Sequence, residues 1–297
     1  MKNKLRNIKF IFFILLFNSI IFEYIFIKNK IIRVCLCVIG KNENLYAKEF
    51  VNHYKKLGYN HIFIYDNNDN KNEKFIDILQ KEIKEGFVSI IDYIGYKGKN
   101  NSSQREAFYD CYKKNRIHYH WLSFFDFDEY LEIKPKNKTI QQFLNNDLYK
   151  KCQNIKINWL TFSSEKEIIY YENNSLQLRF NKPIFNHISN KHIKSTVRGH
   201  IKDNYWSQWA TPHSSLYNFI SCSSSGKQVD NKTPYIEPPD YEYAAIKHFS
   251  IKSFEEYCYK LKRGWPDSTN TNLYINSLIN SSRNNIEKIK IIKKIFN

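Results

Sequence analysis

"RVCLCVIGKNENLYAKEFVNHYKKLGYNHIFIYDNNDN", residues 33–70, decides the fold. Its opening, preceded by Ile31 and Ile32, is short, apolar and rich in β-branched residues, the pattern of a strand buried on both faces of a parallel sheet. Tyr46, Phe50, Tyr54 and Leu57 then recur at spacings of four and three, the stripe of an amphipathic helix, and Gly58 stands where such a helix stops. HIFIYD follows as a second strand and runs out into the polar NNDN. Strand, helix and strand form one βαβ unit.

Working outward, the alternation continues. EKFIDILQKEIKEG (73–86) reads as a second helix closed by Gly86, FVSIIDYI (87–94) as a third strand, SQREAFYDCYKKNR (103–116) as a third helix and WLSFFDFDEYL (121–131) as a fourth strand. Such alternation builds a mostly parallel central sheet with right-handed crossovers, and ligands then bind beyond the carboxyl ends of its strands. The expected architecture is a single α/β domain over 31–297. The residues at its binding edge are Lys41, Asn42 and Glu43; Asp66 and Asn67; and Asp126, Asp128 and Glu129. No G-x-G-x-x-G follows the first strand and no G-x-x-x-x-G-K-[ST] occurs, so dinucleotide and P-loop chemistry lack their phosphate cradle.

The fourth strand drives an apolar run into three carboxylates. A carboxylate leaving such a run must be paired, hydrogen-bonded or metal-bound, because burying it alone costs several kcal/mol. Asp126 and Asp128, at i and i+2 around a turn, are spaced to reach one divalent cation, a hard ion that prefers oxygen ligands and bridges to a diphosphate. Such a metal acts as a Lewis acid toward a leaving nucleoside diphosphate. With no cation bound, the crowded acids are expected to repel one another, so that neutralising one leaves stability almost unchanged. Beyond residue 150 the chain is less regular and carries INWLTF, DNYWSQWATPH and KRGWP, whose tryptophans suit either sugar-ring stacking or core packing.

Composition bounds the rest. Aromatic residues make up 16% of the 297 residues, with only 8 Gly and 7 Pro, which excludes a disordered or low-complexity chain. The formal net charge is +17, and residues 1–33, with seven basic side chains and one acid, contribute +6 of it, leaving +11. That surplus suits a polyanionic ligand, but the lysines are scattered and no zinc-finger or RNA-recognition motif occurs, so no nucleic-acid partner is expected. Residues 10–27 are apolar apart from Asn18, Ser19 and Glu23, and about 18 residues span roughly 27 Å of bilayer. They read as an uncleaved signal-anchor helix, with residues 1–9 cytoplasmic and the domain lumenal: a single-pass type II protein of the Golgi or endomembranes. The six cysteines show no metal-site spacing and are expected as packed thiols, with a distant pair open to bridging if the domain faces an oxidising lumen.

The chain resembles glycosyltransferase family 92 and the related family 2-like enzymes of GT-A fold. The resemblance rests on residues 34–70, WLSFFDFDEYL, KSTVRGH (194–200) and IKHFSIKSFEEYCYKLKRG (246–264), in that order. It implies a GT-A domain behind the single transmembrane helix and a membrane-anchored, metal-dependent, inverting hexosyltransferase. The implied donor is a nucleotide sugar, a UDP-sugar first, and the acceptor a glycan, glycoprotein or glycolipid. It implies Asp126 and Asp128 as catalytic residues; Lys41, Asn42, Glu43 and Asp66 as donor-binding, joined by Gln104 and Arg105, which open the third helix near the same edge; and Asp126, Asp128 and His248 as ligands of Mn²⁺ or Mg²⁺. Lys194, Arg198, Lys252 and Arg263 are candidates to meet phosphate oxygens, with His200 and His213 behind them. Among Glu165, Asp203, Asp230, Asp240 and Glu242, no spacing selects a general base. WLTFSSEKE lacks the glycine and histidine expected after its serines. The alternative is a noncatalytic sugar-binding or scaffold protein that keeps the fold.

Overall fold

The structure, a computed structural model, describes residues 32–69, 73–93, 103–136, 138–164, 166–170, 175–201, 220–263 and 271–296. The chain divides into two units, Met1–Ile32 and Arg33–Asn297, and every described helix and strand lies in the second. The predicted anchor at 10–27 lies outside the described residues, among which no helix is long and apolar enough to cross a membrane.

Strand β1 (Val34–Gly40) is the hub. It pairs in parallel with β2 (His61–Asp66) on one side and β4 (Trp121–Phe124) on the other, and β2 pairs in parallel with β3 (Val88–Asp92). Val34 through Val38 are fully buried, as a strand covered on both faces requires. Helix α1 (Asn44–Lys56) returns the chain across the sheet, burying Tyr46, Phe50 and Tyr54 from the predicted stripe, and Gly58 ends it at φ +87°.

Beyond β4 the sheet is mixed rather than mostly parallel. Strand β7 (Ile193–Arg198) lies antiparallel to both β4 and β6 (Asn154–Thr161). Strand β10 (Ala244–His248) runs parallel to β6 and antiparallel to β5 (Glu129–Ile133). The order is β3-β2-β1-β4-β7-β6-β10-β5, with the short β8 (Ser221–Cys222) and β9 (Gln228–Val229) beside β6.

Three local expectations are corrected. The helix predicted over 73–86 is two short ones, α2 (Phe75–Ile78) and α3 (Gln80–Lys84), broken at Leu79, whose φ of −109° leaves helical geometry. WLSFFDFDEYL is two strands, because after Phe124 the chain leaves β1 and crosses to pair with β10. The thiols are not all packed as thiols: Cys37 is bridged to Cys111 on helix α4 (Ser103–Asn115), and Cys152 to Cys222. These pairs lie 74 and 70 residues apart; β1 packing against helix α4 brings the first together, and the parallel pairing of β6 with β8 brings the turn carrying Cys152 to Cys222. Cys35 and Cys258 remain buried thiols.

Candidate functional site

The crossing from β4 to β5 builds the centre of the site. Phe125 and Phe127 turn into the core, at 0% and 2% exposure, while Asp126 and Asp128 in the turn between the strands meet charged partners. Phe127 stacks on Phe75, centroids 4.9 Å apart and planes nearly parallel. Its ring lies where a Cβ on Gly40 would be, 2.5 Å from the ideal position, so only glycine fits the end of β1.

Asp126 accepts from Gln104 Nε2 at 2.6 Å through one oxygen and from Lys194 Nζ at 2.6 Å through the other. Its backbone N–H donates to Glu129 Oε2 at 2.9 Å. Lys194 comes from β7, is fully buried and also lies 3.5 Å from Glu129 Oε2. Burial works against the Lys194 charge, but Asp126 and Glu129 outweigh it and hold the ammonium above its usual range. For Glu129 burial wins: desolvation, with Asp126 and Asp128 nearby, pushes its carboxyl well above the usual range in spite of Lys194.

Asp128 is 6% exposed and accepts from Lys260 Nζ at 2.7 Å, while its other oxygen faces His248 Nε2 at 4.0 Å. Burial alone would raise its carboxyl, but Lys260 in contact and Lys252 nearby hold it below the usual range. His248 ends β10, paired opposite Glu129 and beside Thr161, so sheet register delivers it to this spot. Burial pushes its imidazole down to about 3, which leaves it neutral near pH 7 and able to ligate through a free nitrogen. Among the described residues no three His, Cys, Asp or Glu side chains gather as a metal-holding group. Asp126 is turned to Lys194 and Gln104, and Asp128 to Lys260, with His248 beside its second oxygen.

The loops after β1 and β2 lock together beside these acids. Lys41 pairs with Asp69 at 3.0 Å, and the Asn42 N–H donates to Asn68 Oδ1 at 2.6 Å with Asn42 at φ +54°. Asp66 is buried, one oxygen taking the Asn68 N–H and side-chain amide and the other the Phe75 N–H, so it organises its own turn. Glu43 is 5% exposed and held by Arg263 and by Lys252, whose Nζ is 3.5 Å from it. Arg263 also donates to the Lys41 carbonyl at 2.6 Å.

Lys252 is buried at φ +60°, a left-handed conformation rare for a non-glycine residue, with its ammonium 3.7 Å above the Tyr46 ring. Burial lowers its pKa in spite of Glu43 and Asp128. Arg198 donates to the carbonyls of Cys152 and Tyr149 and braces the fold away from the acids. Arg105 and His200 are exposed; His213, Glu165 and Asp203 lie outside the described residues.

Lys260 is the site residue that sequence reasoning missed. The signal was present: Glu256, Lys260 and Arg263 stand at i, i+4 and i+7, one face of the helix α5 (Phe254–Arg263). Glu256 anchors that face, accepting from Tyr46 and from Arg179, which bridges on to Glu167 at 2.8 Å.

The sequence profile described as Glycosyltransferase family 92 matches residues 30–233, more than half of the chain. The chain belongs to glycosyltransferase family 92. It is similar to a glycosyltransferase family 92 protein of Oryza sativa subsp. japonica, 27% identical over 119 residues that cover 40% of this chain and 19% of that one. It is also similar to one of Ricinus communis, 26% identical over 113 residues, 38% and 19% of the two chains. The matched segment thus spans about a fifth of the length of the curated relatives. Among solved structures it is similar to S. aureus TarS 1-349, with TM-score 0.39 and 12% identity, covering 90% of this chain and 71% of that one. The same TarS segment in complex with UDP-GlcNAc gives TM-score 0.38 and 10% identity, covering 90% and 72%. Likeness at that level fixes neither fold nor ligand; the family 92 assignment rests on the sequence.

Proposed function

We propose that this family 92 chain is a metal-dependent glycosyltransferase that moves a sugar, a hexose with inversion, from a nucleotide-sugar donor to a glycan or glycoconjugate acceptor. The observation that carries the reading is the convergence of Lys194, Lys252, Lys260 and Arg263 on carboxylates at the carboxyl edge of a βα sheet. These four cations meet three carboxylates, Asp126, Asp128 and Glu43, and the surplus positive charge at a largely buried edge suits an anionic ligand such as the diphosphate of a nucleotide sugar.

In this reading Lys252 and Lys260 face the diphosphate, and Arg263 fixes the Lys41–Glu43 loop through Glu43 and the Lys41 carbonyl, shaping the nucleotide edge. Asp126, steered by Gln104 and Lys194, faces the donor sugar. Asp128 and His248 are the residues that would hold a hard divalent cation, Mn²⁺ or Mg²⁺. Bound there, the cation would supply Lewis-acid neutralisation of the leaving diphosphate. Lys260 then has to yield its place on Asp128. A UDP-sugar is the first donor to try.

The two disulfides support folding in an oxidising compartment, and with the apolar 10–27 segment they favour a type II protein with a lumenal domain. Protease protection of the domain in sealed microsomes tests that orientation. Release of nucleoside diphosphate from a panel of nucleotide sugars, with and without Mn²⁺, tests the activity. We expect turnover of at least one donor that depends on Mn²⁺ and fails in Asp128→Asn. A folded protein that turns over no donor in the panel would favour the sugar-binding scaffold.

A further inference from the structure

A histidine that ligates a metal almost always donates its other ring N–H to a fixed acceptor, which sets tautomer and orientation. His248 departs from that arrangement. Its Nδ1 is buried with no hydrogen-bond partner among the described residues, and its Nε2 is 4.0 Å from Asp128, beyond hydrogen-bond reach. No hydrogen bond from the described residues aims this ring.

What lies against it is Trp159, with ring centroids 4.0 Å apart and planes 34° from parallel. Trp159 is fixed from several directions. It sits in β6 in register with Ile246 of β10, its backbone N–H donates to the His192 carbonyl at 2.9 Å, and its backbone carbonyl accepts from Tyr241 Oη at 2.7 Å. On the β7 side its ring stacks on His192, 4.9 Å away and 22° from parallel. His192 is held in turn, its Nδ1–H donating to the Ser189 carbonyl at 3.0 Å and Tyr235 packing edge-on at 4.8 Å. The tryptophan of INWLTF is therefore sandwiched between two imidazoles across the sheet, which leaves it poorly placed to stack on a sugar.

We propose that Trp159, backed by His192, is the positioning residue that aims His248 at the cation beside Asp128, doing by ring contact what a hydrogen bond does in other sites. The proposal rests on the reading of His248 as a ligand given under Proposed function.

The test is Mn²⁺ affinity by calorimetry in the presence of UDP for the wild type, His248→Ala, Trp159→Leu and Trp159→Phe. The His248 ring-proton shifts of each metal-free protein that retains His248 complete it. Trp159→Leu should weaken Mn²⁺ on the order of tenfold, the usual loss when a ligand's support is removed, and Trp159→Phe should restore most of it. In the metal-free wild type the His248 ring protons should show the upfield shift of a neighbouring aromatic face, lost in Trp159→Leu and kept in Trp159→Phe. The Phe variant and the wild-type shifts decide the matter even where the Leu variant does not fold. Wild-type Mn²⁺ affinity in Trp159→Leu beside a weakened His248→Ala, or unshifted ring protons in the wild type, overturns the positioning role alone. Unchanged affinity in His248→Ala overturns the ligand reading, and this proposal with it.

Discussion

Asp128→Asn separates a catalytic carboxylate from a merely structural one, and the geometry sets both expected losses. From the sequence the acids of FDFDEY are expected to crowd and repel, so neutralising one should leave stability untouched. The structure reverses this, because Lys260 occupies Asp128 at 2.7 Å and Lys194 occupies Asp126 at 2.6 Å. Breaking a buried pair by removing one partner costs about 3–5 kcal/mol. Here the loss is smaller, since the Lys260 side chain is 21% exposed and keeps the Ser250 carbonyl at 3.0 Å; we expect about 1–3 kcal/mol. At roughly 2–4 °C per kcal/mol, that lowers Tm by about 2–12 °C in a unit of this size. Lys260→Met in the Asn background should recover part of the loss, because the orphaned ammonium is then gone. The Asp128 pKa is held below its unfolded value of about 3.9, so the contribution is complete above that pH and is lost as pH falls beneath it. Donor turnover should drop on the order of 10²-fold or more, as when a principal electrostatic group is removed. Thermal melting and nucleoside diphosphate release are measured on the same preparation. A variant that melts at or above the wild type refutes the ion-pair argument, and full turnover refutes the catalytic one.

Two further outcomes are expected. Each disulfide closes a loop of roughly 70 residues, worth about 4 kcal/mol in the chain-entropy model, so Cys152→Ser/Cys222→Ser should melt well below the wild type; equal melting would show that the bridge does not form. His53 is held neutral, Nε2–H donating to the Leu131 carbonyl at 2.9 Å and Nδ1 accepting from Gln177 at 3.3 Å, and burial lowers its pKa to about 4. Between that value and the unfolded 6.5 or so, the unfolded chain binds the extra proton, so stability should fall by about 1.4 kcal/mol for each pH unit lost. Melting of His53→Gln against wild type from pH 7 to 4 isolates this share, and parallel curves would contradict it.

The first half of the fold was legible because local pattern and tertiary environment agree there. VCLCVIG is buried on both faces and reads as such; Tyr46, Phe50 and Tyr54 face the core at helical spacing; Gly58 takes the left-handed conformation that its position requires. Legibility fails where a long-range partner overrides local pattern. WLSFFDFDEYL is continuous as a sequence, yet β5 is claimed by β10, more than 110 residues further on, and the strand breaks. Cys37 looks like any buried strand residue until helix α4 sets Cys111 beside it. At the site, the acids were legible because charge after an apolar run is anomalous. Their partners were not, since a lysine in a chain this rich in lysine is anomalous only once it is seen to be buried.

That asymmetry explains why an acidic motif is half a site. The family profile ends at residue 233, and His248, Lys252, Lys260 and Arg263 all lie beyond it, yet they reach Glu43 and Asp128 from β10, α5 and the turn between them. Sheet order makes the meeting unavoidable: β5 carries the chain directly from Asp128, and its one partner among the described strands is β10, so the residues leaving β10 emerge beside the acids. The Phe249 N–H donates to the Asp128 carbonyl at 2.9 Å, fixing that juxtaposition through backbone alone. The backbone therefore brings the segment after β10 to Asp128 whatever its side chains, and those that reach Asp128 or Glu43 are His248, Lys252, Lys260 and Arg263. On the proposed reading, Lys252, buried in a left-handed turn 3.5 Å from Glu43, would meet an arriving diphosphate at low dielectric and without reorganisation.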